Sequence, residues 1–360
     1  MEVYVALRTL LRVYDFIVIG AGISGASVAY ELAESASVLL LEGEASPGYH
    51  STGRSAALYT PNFGSPTVCR INKASKVFFD NPPDGFCDNP LLTPRGALTV
   101  AASGDEHSLQ ALLDLSSENS PIYEVTKQDA LALAPIIKHE VIAAGVYEPN
   151  VMDIDVASLH QGYLRGFKRR GGVLQTNQGV TALKSHHALW EVGTVNNTYQ
   201  GKQLVNAAGA WADQLGVLAK AQPIELVPKR RTAILVDVPA HIDLSGMPLV
   251  DFVGGAYMKP EAGQLMVSPG DETPVEPQDI LPDDLEVAVL VDWLERKTLL
   301  SVDRIAHSWA GLRSFVADGN PVVKFDDEIA NFFWLAGQGG YGIMMAPSLA
   351  KQAAKQLLSH

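Results

Sequence analysis

"YDFIVIGAGISGASVAYELAESASVLLLEGE", residues 14 to 44, decides the fold class. Phe16 to Ile19 form an unbroken apolar run, as a strand buried on both faces does. Gly20, Gly22 and Gly25 follow at once in a G-x-G-x-x-G pattern. Residues from about Ser24 to Ala33 read as a helix, and Ser37 to Leu41 as a second buried strand. Strand, helix and strand at this spacing imply a parallel sheet. The first glycine permits a tight turn, the second lets a pyrophosphate approach the backbone, and the third lets helix and strand pack closely. The helix N-terminus adds free N–H groups and a partial positive charge. Glu42 ends the second strand, where an acid can bond ribose hydroxyls. The stretch predicts a dinucleotide site; a glycine-rich turn that binds nothing is the plainer alternative.

Two later stretches repeat the strand, glycine, helix pattern: "KQLVNAAGAWAD" (202–213) and "NFFWLAGQGGYGIMMAPSLAKQAAKQLL" (331–358). "DIDVASLHQGYLRGFKRRGG" (153–172) reads as a helix with Asp155 as N-cap. Less regular segments lie between these units. The expectation is an α/β chain with a discontinuous Rossmann-like domain over 13–60, 146–225 and 302–360. A substrate domain, α+β with a mostly antiparallel sheet, takes 61–145 and 226–301. Residues 1–12 are set aside as an extension.

The totals narrow the function. The chain has 360 residues, 47% of them hydrophobic, and a net charge of -13. That charge repels phosphate backbones, so no nucleic-acid partner is expected. Two cysteines make neither a disulfide framework nor a zinc site, and the histidines lack metal-ligand spacing, so no metal is expected. No apolar run reaches the ~18 residues that cross a bilayer, and no signal peptide is apparent. The expected location is cytoplasmic.

Two stretches favour FAD as the dinucleotide. "GYHSTGRSAA" (48–57) carries small residues that let backbone lie against a flat ring. Its Arg54 meets the pyrophosphate or sits in a surface turn. "GQGGYGIMMAP" (337–347) opens a helix whose N–H groups can face the flavin edge where negative charge gathers on reduction. In "LVPKRRTAILVDV" (226–238), alternation puts Arg231, Ala233 and Leu235 on one face and Arg230, Thr232 and Ile234 on the other. Only one of the two arginines can therefore enter a pocket. Arg313 in "AGLRSFV" is another guanidinium among apolar residues. Two such forks can grip one carboxylate, and Tyr257 can add a hydroxyl. An ordinary salt bridge is the alternative for each.

The motifs "PGYHSTGRSAA", "FFDNPP", "LVNAAGAWAD", "PKRR", "WAGLRSFVADG" and "QGGYGI" together resemble the FAD-dependent amine oxidoreductases of the D-amino-acid oxidase and glycine oxidase superfamily. Within it the likeness is greatest to bacterial D-amino-acid dehydrogenases of the D-arginine type, and it runs from Tyr14 to about Leu357. The resemblance implies non-covalent FAD, with Gly20, Gly22 and Gly25 at the pyrophosphate and Glu42 on the ribose. It puts Ser51, Thr52, Arg54 and Ser55 along the cofactor, and the Val180 backbone on the adenine. Ala208, Gly209 and Trp211 close the phosphate side, and Gly339, Gly340, Tyr341, Gly342 and Ile343 approach the flavin. Arg231, Tyr257 and Arg313 would clamp a substrate carboxylate, and the Gly340 carbonyl would accept from the amine. His50 is taken as a non-covalent neighbour of the cofactor.

The activity this implies is oxidative deamination of a D-amino acid. A hydride passes from Cα to flavin N5, giving an imino acid and then a 2-oxo acid and ammonia. Oxygen or a quinone is the electron acceptor. The side-chain pocket is assigned to Leu58, Phe63, Ala97, Val250 and Met344. Ala97 stands where the D-arginine type has an acid, and Leu58, Phe63 and Met344 replace polar residues. A pocket with no acid favours a neutral, apolar substrate over D-arginine. Oxidation of a 2-hydroxy acid or of a secondary amine such as sarcosine or proline is the nearest alternative, and a flavin-binding protein without turnover is the alternative of another class.

Overall fold

The computed structural model describes residues 12–186 and 188–360, so the extension 1–12 falls almost wholly outside the described residues. The opening stretch folds as β1 (Val13–Ile19), α1 (Ile23–Leu32) and β2 (Val38–Leu41). β1 is the centre of a sheet, parallel to β2 on one side and to the strand Thr198–Asn206 on the other. Phe332–Ala336 extends the parallel set, and a hairpin from Val180–His186 and Leu189–Thr194 adds antiparallel strands. Phe16 to Ile19 and all of β2 are buried, which explains their unbroken apolar sequence. The helix Val156–Arg169 is capped by Asp155, whose Oδ1 accepts from Ser158 N–H at 2.8 Å. It packs on α1 together with the C-terminal helix Gly342–Leu358.

A second eight-stranded sheet is antiparallel except where Leu249–Phe252 runs parallel to Ala97–Ala101. Its edge pair, Val227–Val236 and Ile305–Phe315, sets Arg231 opposite Gly311 and Lys229 opposite Arg313. The α/β class, with one Rossmann-like layer and one mostly antiparallel sheet, is therefore as the sequence predicts.

The division into segments differs in three places. Ile305–Phe315 was expected on the cofactor side; its long register with Val227–Val236 puts it in the second sheet. Ala144–Glu148 also joins that sheet, so the border at 145 cuts a strand. The helix Pro66–Asp80 packs instead on the C-terminal helix, with Phe78 and Phe79 buried in the core that holds α1. Its aromatic face finds Tyr163 and Phe86 there. Among the described residues, no helix is long and apolar enough to cross a membrane.

Candidate active site

A cavity of about 480 Å³ runs from the glycine turn of the first layer to the inner face of the second sheet. At one end Gly20 takes φ +99°, and a Cβ there would meet Ala207 O at 2.4 Å. A Cβ on Gly25 would meet Gly20 O at 1.8 Å, so α1 approaches β1 as only glycine allows. Thr52 Oγ1 accepts from Ile23 N–H at 2.9 Å and caps α1 from a distant loop. Glu42 accepts from Ala21 N–H at 2.8 Å and Glu44 N–H at 3.0 Å. The N–H groups of Gly22 and Ser24 have no protein acceptor among the described residues and lie on the cavity wall. They are donors for a phosphate at a helix N-terminus.

The sequence-assigned residues Gly20, Gly22, Glu42, Ser51, Thr52, Arg54, Ser55, Val180, Ala208, Gly209, Trp211, Gly339, Gly340, Gly342 and Ile343 all border this cavity, as do Arg231, Tyr257 and Arg313. Gly25 lies behind it, at the helix–strand contact. Tyr341 does not border it; its ring packs on Phe63 and Phe315. Gln338 does, and its Nε2 is buried with no partner. An orphaned donor, free helix-terminal N–H groups and a glycine cradle fit FAD along this wall.

Other assignments move. Arg54 does not wait for a phosphate: Nη2 pairs with Asp279 at 2.5 Å, and Nη1 donates to the Ala310 carbonyl at 3.0 Å. It ties the loop before the helix Asp284–Lys297 to the cofactor side. His50 Nε2 faces Glu44 at 3.0 Å and its ring lies 4.6 Å from that of Trp211. None of the five side-chain pocket positions borders the cavity. Leu58 and Ala97 cluster with Leu249, next to Tyr257. Met344 is buried under Thr60, and Phe63 is 57% exposed. Val250 is fully buried among Leu98 and Met258, on the opposite sheet face, because alternation turns Asp251 and not Val250 toward the Tyr257 side.

Asp251 is a residue the sequence reading missed. It is paired in register with Tyr257, and burial pushes its carboxyl up to about 6 against the pull of Arg231. Glu148, opposite Ala97, is likewise raised by burial and accepts from Asn62 Nδ2 at 3.1 Å. The pocket free of acids expected from Ala97 is therefore not found on this sheet face. His160 was also missed: its Nε2 donates to Ala21 O at 2.9 Å, and burial keeps the ring below its ordinary pKa.

The two arginines of the expected clamp differ. Among the described residues Arg313 has no carboxylate within ion-pair distance. Burial holds its guanidinium below the usual value, and Tyr257 partly offsets this. Burial would raise the Tyr257 phenol, but Arg313, the Ser268 hydroxyl and Arg231 outweigh it and hold it below its ordinary value. Arg231, by contrast, is engaged: Nη2 pairs with Glu272 Oε1 at 3.1 Å and Nε donates to Asp271 O at 2.8 Å. The expectation that both guanidinium groups lack an acidic partner is corrected to one.

The family model for FAD dependent oxidoreductase, DAO, matches residues 15–356. Mouse mitochondrial dimethylglycine dehydrogenase is 23% identical, over 94% of this chain and 41% of its own length. L-2-hydroxyglutarate dehydrogenase of Salmonella houtenae is 28% identical over 58% of this chain and 51% of its own length. The chain thus spans about half, or less, of these relatives. Glycine oxidase of Geobacillus kaustophilus is similar over nearly its whole length, 21% identical over 93% of this chain and 90% of that one. Its crystal structure superposes with a TM-score of 0.81 at 20% identity, covering 96% of this chain and 95% of that one. L-α-glycerophosphate oxidase of Mycoplasma pneumoniae with FAD bound gives 0.84 at 21% identity, covering 97% and 95%. The chain belongs to the FAD-dependent oxidoreductases of the DAO family.

Proposed function

We propose that this oxidoreductase oxidises the Cα–H of a neutral α-amino acid, and of a D-amino acid in particular. The observation that carries the reading is Arg313: a guanidinium without an acid, beside Tyr257, on the wall shared with Gly339 and Gly340. A half-buried cation with no counter-ion is costly once a ligand covers it, unless that ligand supplies one. A substrate carboxylate does so by charge-assisted bonds from Arg313 and the Tyr257 hydroxyl. The Gly340 carbonyl, bordering the same space, accepts from the substrate amine. Two substituents of Cα are then held, and the third, the hydrogen, has a defined direction. FAD, when bound, supplies the acceptor for the hydride. Leu58, Ala97 and Leu249 form an apolar cluster against Tyr257, just outside the cavity wall and on the face that also carries Asp251 and Glu148. The imino acid formed takes up water and releases ammonia and a 2-oxo acid.

A second reading is oxidation of an N-substituted glycine or a 2-hydroxy acid, favoured by the names of the relatives, dimethylglycine dehydrogenase and L-2-hydroxyglutarate dehydrogenase. Anaerobic titration of the FAD-loaded protein with D- and L-amino acids, sarcosine and 2-hydroxy acids separates them. Bleaching of the flavin by neutral D-amino acids, ahead of D-arginine and the other classes, is the expected result. Bleaching by 2-hydroxy acids or sarcosine alone selects the second reading.

A further inference from the structure

Glu272 is held in place by the fold. The chain after the strand Gln264–Ser268 turns back along Val227–Val236, with Arg230 N–H donating to Thr273 O at 2.8 Å and Val275 N–H to Pro228 O at 3.0 Å. Thr232 N–H donates to Asp271 Oδ1 at 2.6 Å. This register sets Glu272 across two cations, Oε1 on Arg231 at 3.1 Å and Oε2 on Lys229 at 2.9 Å. A carboxylate bridging a guanidinium of the cavity wall sits as a ligand carboxylate would.

We infer that Glu272 takes, from within the protein, the place of a second substrate carboxylate at Arg231, so that the site admits monocarboxylates and excludes dicarboxylates. This rests on the reading of Arg313 as the anchor of the substrate carboxylate.

Charge supports it. Arg231 and Arg313 line this end of the cavity; Lys229 and Glu272 lie behind Arg231, and Asp251 is next to it. Three cations stand against two carboxylates, and among the described residues Arg313 is the one of the two cavity-lining arginines with no carboxylate within ion-pair distance. The Lys229 hydrogen bond, with the charges of Arg231 and Arg313, holds the Glu272 carboxyl below its usual range, so it is ionised at neutral pH. Arg230 takes no part: it turns to Asp271 and Glu286 on the other face. A dicarboxylate entering at Arg313 would bring its second charge against Glu272 or have to displace it. Displacement exchanges one carboxylate for another and gains nothing, while repulsion costs.

The test uses the FAD-loaded full chain and follows flavin absorbance and calorimetric heat on titration with propionate and with succinate. In the parent, succinate is expected to bind about tenfold or more weakly than propionate, a difference of roughly 1.4 kcal/mol. Glu272→Gln is expected to tighten succinate by about tenfold and to move propionate by about threefold or less. Succinate binding as tightly as propionate in the parent overturns the inference without any variant. An unchanged ratio in Glu272→Gln overturns it as well. Arg313→Met separates the two claims: if propionate binding survives that change, the carboxylate anchor fails, whatever Glu272 does.

Discussion

A Cβ built on Gly340 would come within 3.1 Å of Arg313 Nη1, tighter than an ordinary van der Waals contact, so the unpaired guanidinium occupies the space that a side chain at 340 would need. The glycine is required less for backbone freedom than for room. Gly340→Ala should push Arg313 out of line and raise KM for the substrate by about tenfold, roughly 1.4 kcal/mol, with FAD still bound. Steady-state kinetics beside the flavin spectrum check this. An unchanged KM would mean that Arg313 moves freely or holds no substrate.

Arg313→Met removes the cation itself. Loss of a charged partner for a buried carboxylate costs on the order of 2–5 kcal/mol, so kcat/KM should fall by that equivalent while FAD stays bound. Comparison with Arg231→Met is informative. Because Arg231 already holds Glu272, its loss should cost less than that of Arg313.

Thr52 reaches the N-terminus of α1 from a loop that also borders the cavity. Thr52→Val keeps the shape and deletes the acceptor for Ile23 N–H. A lost cap costs about 1 kcal/mol, so the melting temperature and FAD affinity should both fall. A valine variant that melts with the parent would remove the cap from the account.

Asp251 gives a pH dependence. Burial places its titration near 6, opposed by Arg231. Above that pH the carboxylate is ionised and offsets Arg231; below it, Asp251 is neutral and the positive field at the site grows. Carboxylate affinity should therefore rise as pH falls through about 6. Asp251→Asn should flatten that step, and calorimetric titration of propionate across the range checks it.

The cofactor side was legible because its signals are local. Gly25 packs on Gly20 and the cap Asp155 holds Ser158, each within a few residues, and Glu42 meets Ala21 within the one strand–helix–strand unit. What the sequence concealed depends on pairing at a distance. Glu272 lies 41 positions from Arg231, and Asp279 lies 225 from Arg54. No periodicity announces such partners, so both arginines looked free. Val250 was assigned to the wrong face for a related reason. Alternation says that Val250 and Asp251 point oppositely, but only the register with Tyr257 says which one shares its face. The strand Ile305–Phe315 was misplaced because a strand's own sequence does not name the sheet it joins.

Rapid anaerobic mixing of the FAD-loaded protein with a neutral D-amino acid, protiated and deuterated at Cα, tests the central claim most directly. Loss of flavin absorbance, slowed when Cα carries deuterium and severely slowed by Arg313→Met, is the expected result. An oxidised flavin that persists with every amino acid offered, or bleaching that is indifferent to Arg313, would contradict it.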